Sequence, residues 1–204
     1  MYLPDMYEVH DHVVLLPFMA RFNFATLVTA DAGVPFASHV TWEVHPQRGP
    51  LGTLNAHVAR PNPQWQHFAN SQEVLVIFQG DHGYISPSWY ASTQPTVPTW
   101  NYMAVHAYGV PHILEDNVAV YRHLRALVHE HETSIASPWQ MDEAYMEKLA
   151  RGVVAFEIEI TRLEGKFKLS QNKTERDRAG VIAALVASPH PSDHALAGAM
   201  QEHT

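Results

Sequence analysis

The stretch Leu54-Asn-Ala-His-Val-Ala-Arg-Pro-Asn-Pro63 holds the residues best suited to grip an anion. Its first half reads as the end of a strand. Its second half reads as a loop opening a short helix, with Asn62 as cap and Pro63 at the first helical position. Such a turn gathers backbone N–H groups, and a neighbouring guanidinium, here Arg60, can give paired hydrogen bonds to a phosphate. Asn55, His57 and Asn62 add neutral donors. The plainer alternative leaves Arg60 solvated at the surface and His57 packed beneath the loop.

A second group, Gly83-Tyr-Ile-Ser-Pro-Ser-Trp-Tyr90 with Val97-Pro-Thr-Trp-Asn-Tyr102, brings aromatic and hydroxyl groups together. Flat ligands are held by apolar walls with a few placed polar groups, and this segment can supply both. Its alternative is structural, with Trp89 and Trp100 anchoring a long loop. The fifteen histidines include the close pairs His10/His12, His129/His131 and His190/His194. Only the last has the i, i+4 spacing of a helical ligand pair, and no H-E-x-x-H accompanies it, so no metal site is expected. G-x-S-x-G, G-x-x-x-x-G-K-[ST] and G-x-G-x-x-G are all missing, which removes the usual signals of serine hydrolases and nucleotide loops. Glu157 and Glu159 share one strand face and read as its solvated side.

The elements that must position these groups follow from periodicity. Asp11 caps a helix over 12–22, which Pro17 kinks or delays. Phe24 to Ala30 and Pro35 to Val44 form a hairpin around Asp31-Ala-Gly33. Residues 51–58 are a third strand, and Glu73 to Phe78 is a buried central one. Gly80-Asp81-His82-Gly83 reads as a turn, 87–101 as an ordered loop, and Tyr102 to Leu114 as a further strand. Val118, Tyr121, Leu124, Leu127, Val128 and His131 then lie on one helical face. Ser137-Pro-Trp-Gln140 has the form of a capping box opening a helix to about Ala150. In 152–163, Val154, Phe156, Ile158 and Ile160 alternate with polar residues, as in a half-buried antiparallel strand. Thr174-x-x-Asp177 caps a helix with Val181, Ile182, Leu185 and Val186 inward, and a short helix follows Ser188. The expected architecture is mainly β, an antiparallel barrel or sheet with peripheral helices. It forms one domain over 1–204, with core strands in 24–115 and 152–168, a helical insert over 116–151 and C-terminal helices over 174–201.

Composition narrows the function. The 204 residues are 46% apolar and 17% charged, enough to fill a core. No apolar run approaches the roughly 20 residues that cross a bilayer, so no membrane contact is expected. The opening MYLPDMYEVHDH has no basic stretch followed by an apolar one, and cysteine is absent. Both features fit a cytoplasmic location. Thirteen Lys and Arg face 21 Asp and Glu, a formal charge of −8. That balance opposes binding nucleic acid through a general basic surface. Before residue 121 the only Lys or Arg are Arg21, Arg48 and Arg60, so an anion site in the first half has few cations to draw on.

Seven stretches, in order along nearly the whole chain, resemble the PaiB-type proteins of the FMN-binding split-barrel superfamily. They are MYLPDMY, PFASHVTW (35–42), LNAHVARPNPQW (54–65), VIFQGDHGYISPSWY (76–90), VPTWNYMAVHAYG (97–109), FEIEITRLEGKFKLSQN (156–172) and ERDRAGVIAAL (175–185). The resemblance implies a six- or seven-stranded antiparallel split β-barrel with C-terminal helices that forms a homodimer and binds a cofactor, FMN first and haem second. Carried onto matching positions, it implies a phosphate site at His39, Asn55, His57, Val58, Ala59, Arg60 and Asn62. Ser86, Trp89 and Trp100 would sit near the ring, with Lys168 and Gln171 reaching the same site. The sequence departs from the family pattern at Thr41, Ala56 and Pro61, and Pro61 pushes Arg60 toward extended geometry. The function implied is a flavin-dependent oxidoreductase or flavin-linked regulator. The alternatives are a negative transcriptional regulator, as the family's name has it, and a haem-binding or haem-degrading barrel. No catalytic residue is assigned.

Overall fold

The computed structural model describes residues 1–70, 72–92, 95–139 and 142–203. Eight strands form an antiparallel sheet: β1 (Glu8–Val9), β2 (Phe24–Asp31), β3 (Val34–Thr41), β4 (Glu43–His45), β5 (Thr53–Ala59), β6 (Val74–Ile85), β7 (Thr99–Ile113) and β8 (Val153–Lys168). Their order is β3-β2-β6-β7-β8-β5-β4, with β1 paired to β8. Among the described residues, five α-helices accompany them: α1 (His12–Arg21), α2 (Asn117–Glu132), α3 (Glu143–Arg151), α4 (Glu175–Val186) and α5 (Pro191–Glu202). The chain divides into two compact units. One comprises Met1–Phe18, Gln79–His106 and Glu164–Thr204, the other Met19–Phe78 and Ala107–Leu163.

In the second unit, β2 and β3 pair from Phe24↔Thr41 to Asp31↔Val34. Ala32 and Gly33 form the tip with φ of 48° and 80°, the two positive values of a type I′ hairpin turn. β5 pairs with β8 from Thr53↔Glu159 to Ala59↔Val153. Leu54, Ala56 and Val58 from β5 are buried, as are Val154, Phe156, Ile158 and Ile160 from β8. The edge of Trp42 meets Phe156 at 5.8 Å, and Phe68 meets the same ring at 4.8 Å. Phe68 belongs to a 3-10 helix, Pro63–Asn70, whose cap Asn62 accepts from Gln64 N at 3.0 Å. Gln64 is fully buried, and its amide donates to Leu27 O, Phe36 O and Thr29 Oγ1. α2 and α3 bury Val120, Leu124, Met146 and Ala150 against Ala155.

In the first unit, Phe18 packs on Phe167 at 5.1 Å. Val181 and Leu185 of α4 and Leu196 and Met200 of α5 are also buried. Thr174 caps α4 by accepting from Asp177 N at 3.1 Å.

Several expected elements are displaced. The segment Gly80-Asp81-His82-Gly83 is not a turn but the middle of β6. The buried positions Val74, Val76, Phe78 and Gly80 give way to Gly83 and Ile85, the one-residue slip that a bulge produces. Gly83 serves close approach: a Cβ there would lie 2.9 Å from Leu196 Cδ2. α1 begins at His12 with Pro17 inside it, so Pro17 does not delay its start, and its first turn is capped by Asp11 Oδ1 accepting from Val13 N. α3 begins at Glu143 with Asp142 as cap, whereas the expected capping box put the start at Ser137. Residues 137–139 are not helical, and Gln140 lies outside the described residues. Asp142 prevails because its carboxylate accepts from Tyr145 N at 2.8 Å. The buried face of α2 is Val120, His123, Leu124 and Leu127, while Val118 is exposed. Val186, expected inward on α4, is also exposed.

Candidate functional site

An open cleft of about 530 Å³ lies in the second unit, within the roughly 300–1,000 Å³ of small-molecule sites. Ser38, His39, Val40 and Thr41 of β3 form one side and His57, Val58 and Ala59 of β5 another. Phe24 and Asn62 complete the sheet side, and Leu127 and His131 of α2 close it. Phe24, Val40, Val58 and Leu127 give an apolar wall suited to a ring. Ser38, Thr41, Asn62 and three imidazoles give neutral or titratable donors, and the lining includes no Lys or Arg.

Local hydrogen bonds fix these groups. Asn62 donates to Ser38 Oγ at 2.9 Å while its own oxygen caps the 3-10 helix, so its amide is held at both ends. His39 is exposed on β3, with Nδ1 2.9 Å from Thr26 Oγ1 on the paired strand. His57 reaches inward instead: its Nδ1 is 2.9 Å from His123 Nε2. His123 in turn places Nδ1 against the carboxylate of Glu43. His123 and Glu43 are buried at 2% and 7% exposure, so an imidazole in the cleft ends a chain that starts at an interior carboxylate. Burial first, then the neighbouring His123, pushes the His57 pKa down to about 4, against a smaller upward pull from Glu43. His57 is therefore neutral at pH 7.

Of the residues expected at the site, His39, His57, Val58, Ala59 and Asn62 come together in this cleft. Arg60 does not. Its Nε donates to Arg151 O at 2.7 Å and its Nη2 to Val153 O at 2.8 Å, placing the guanidinium at the carbonyls where α3 ends and β8 begins. There it borders a different cleft of about 760 Å³, with Trp65, Tyr121, Glu147 and Arg151 among its lining. Asn55 is buried, and its Oδ1 accepts weakly from Arg48 at 3.5 Å.

The remaining expected residues lie in the first unit. Ser86 caps the short 3-10 turn Pro87–Trp89 by accepting from Ser88 N. The Trp89 carbonyl sits where a Cβ on Gly180 would fall, 2.2 Å away, so Gly180 is required for α4 to approach. Trp100 is 55% exposed and meets Tyr84 edge-on at 6.3 Å. Lys168 donates to Thr99 Oγ1 and Trp100 O. Burial, with Lys166 and Lys173 nearby, lowers its pKa. Gln171 accepts from Leu169 N and donates to Phe167 O. Both long side chains are thus engaged with local partners.

Sequence reasoning missed Glu43, His123 and Gln64. Glu43 is polar in a three-residue strand, and His123 lies outside the helical stripe chosen from apolar spacing. Only their juxtaposition marks them.

Comparison with known proteins agrees with this architecture. Residues 1–162 match the family described as "Putative FMN-binding domain". The protease synthase and sporulation protein PAI 2 of Bacillus subtilis is 34% identical over 214 residues, covering 99% of this chain and 97% of that protein. An uncharacterised protein of Emericella nidulans is 39% identical over 166 residues, 66% of each chain. Among solved structures, the flavocytochrome Anf3 of Azotobacter vinelandii superposes with a TM-score of 0.66 at 13% identity, over 87% of this chain and 78% of that one. The FAD- and heme-binding protein of Mycobacterium smegmatis gives 0.62 at 14%, over 85% and 79%. At those identities the likeness is one of fold, and the fold is the antiparallel split barrel with helices. The chain belongs to the PaiB-type FMN-binding-domain family.

Proposed function

We propose that this protein binds a flavin, FMN in particular, in the cleft formed by β3, β5 and α2, and acts in electron transfer. One observation carries the reading: five residues that the family resemblance implies for the cofactor, on two strands and a following loop, line one cleft together. Its chemistry suits such a ligand. The apolar wall matches a flat ring, and Ser38, Thr41, His39 and Asn62 offer donors to a phosphate or a polyol. With Arg60 committed to carbonyl groups, the phosphate would be held by neutral donors and imidazole. A bound flavin supplies one- and two-electron chemistry, while the chain supplies orientation and electrostatics.

The B. subtilis relative's name concerns protease synthesis and sporulation. A formal charge of −8 favours a small-molecule role here over contact with a polyanion. The proposal includes a homodimer. β3 ends the path of the sheet and exposes Val34 and Phe36, an edge of the kind that proteins cover.

Titration of the purified protein with FMN, followed by flavin fluorescence, tests the reading. Saturable quenching is expected. A folded protein that leaves FMN fluorescence unchanged would end the flavin reading. A Soret shift on titration with hemin would then put haem in its place, since any of three cleft imidazoles could ligate iron. Sedimentation of the same samples gives the mass, so flavin binding by a monomer would remove the dimer alone.

A further inference from the structure

The Glu43–His123–His57 chain does more than hold a ring in place. Glu43 on β4 and His123 on α2 are both buried, and their contact joins two elements far apart in sequence. His123 spends one nitrogen on the carboxylate and the other on His57 Nδ1. A carboxylate accepts only, so His123 Nδ1 carries its proton. With His123 neutral, its Nε2 accepts, His57 Nδ1 donates, and His57 Nε2 is a bare lone pair on the cleft side. With one more proton the chain inverts. His123 then donates from both nitrogens, His57 Nδ1 accepts, and His57 Nε2 carries the hydrogen.

We propose that Glu43, His123 and His57 form a proton relay whose outer terminus, His57 Nε2, takes a proton from an N–H or O–H of the molecule in the cleft and returns it. In the uptake step a proton leaves the ligand for His57 Nε2. The proton on His57 Nδ1 passes to His123 Nε2, and the positive charge rests on His123 beside the Glu43 carboxylate. The ligand is left with the electron pair, and no oxidant or other co-reactant is needed. His57 stays neutral throughout, which is what its burial requires. The charged and titratable groups around the relay are few. His45 on β4 is lowered chiefly by burial and sits in the field of Glu43, Arg48, His123 and Glu157. Arg48 and Glu157 pair with each other at 2.7 Å, and His39 and His131 share the cleft lining.

Long-range ¹H–¹⁵N spectra of the histidine rings of the full chain, without ligand, test the relay directly. At alkaline pH His57 is expected with its proton on Nδ1 and an unprotonated Nε2. On acidification the histidine pair takes up one proton in a single shared step. That charge appears on His123, and the His57 proton moves to Nε2. An Nε2-protonated His57 at alkaline pH, or a His57 that charges by itself near the ordinary histidine value of about 6.5, would overturn the proposal. In Glu43→Gln the amide oxygen still accepts from His123, so the tautomer is kept. Loss of the carboxylate charge should move the shared step to lower pH, with the His57 proton still on Nδ1 above that step. His123→Phe, if Glu43→Gln does not fold, should release His57 from the Nδ1–H tautomer.

A last arm repeats the spectra with FMN. Movement of the His57 Nε2 resonance is expected, whereas FMN that quenches normally and leaves that nitrogen unmoved would overturn the terminus. Because the ligand-free spectra do not depend on flavin, failure of the flavin reading and failure of the relay give different results.

Discussion

Arg60 was the natural candidate for a phosphate ligand, as one of three cations in the first 120 residues, yet its guanidinium sits on the carbonyls of Arg151 and Val153. Charge-assisted hydrogen bonds of this kind are worth about 1–3 kcal/mol, less at an exposed site. Arg60→Ala should therefore lower the urea midpoint by the equivalent of about 1 kcal/mol and leave FMN affinity within about twofold. His39 should behave oppositely. It is exposed, lines the cleft and hydrogen-bonds only one threonine among the contacts described. His39→Ala is expected to weaken FMN about five- to tenfold, roughly 1–1.4 kcal/mol, with little change in stability. Parallel titration and denaturation of the two variants separates the roles. A large loss of affinity in Arg60→Ala alone would return the phosphate to the loop after β5.

Element geometry sets the second group of expectations. Gly109 on β7 has no room for a methyl group: a Cβ would lie 2.3 Å from Glu159 O and 2.5 Å from Ile158 Cγ2. The first obstacle is backbone and cannot yield, so Gly109→Ala should destabilise by about 1–3 kcal/mol or more. At Gly83 the obstacle is the end of the Leu196 side chain, and Gly83→Ala should cost distinctly less. The β2–β3 tip offers a gain. Ala32 holds a φ of 48° beside Gly33 at 80°, and Asn-Gly is the pair preferred in such a turn. Ala32→Asn should raise stability by roughly 0.5–1 kcal/mol, read as a shift in the urea midpoint at constant slope. The hairpin was legible from Asp31-Ala-Gly33 because turn chemistry is local. The start of α3 was not, since Ser137 and Asp142 both have capping side chains and their tertiary placement chose between them.

At the scale of the molecule, buried histidine couples stability to pH. His57 titrates at its ordinary value of 6.5 when unfolded and about 4 when folded. The folded value being the lower, the unfolded chain binds the proton first, and stability falls as pH drops from 6.5 toward 4. Above 6.5 the contribution is fully present, and His45, also lowered chiefly by burial, adds in the same direction. The loss should be on the order of 1–3 kcal/mol. Urea midpoints at pH 7.5, 6 and 5 will show it, and His57→Gln should flatten the slope. A midpoint that rose on acidification would contradict the burial of the ring.

The sequence by itself determined the class of fold and half of the cleft. Alternation in 152–163, the hairpin turn and the Asn62-Pro63 cap are properties of neighbouring residues, and each produced its element. The placement of His57, Val58 and Ala59 on one strand end follows from the same local order. Tertiary structure alone decided where Arg60 points, because its partners are carbonyls about ninety residues away that become acceptors only when α3 ends beside β5. It also decided that Glu43 and His123, 80 residues apart, share a proton donor and acceptor in the interior. Neither carries a spacing signal, since such a contact is set by how β4, β5 and α2 pack and not by periodicity along any one of them.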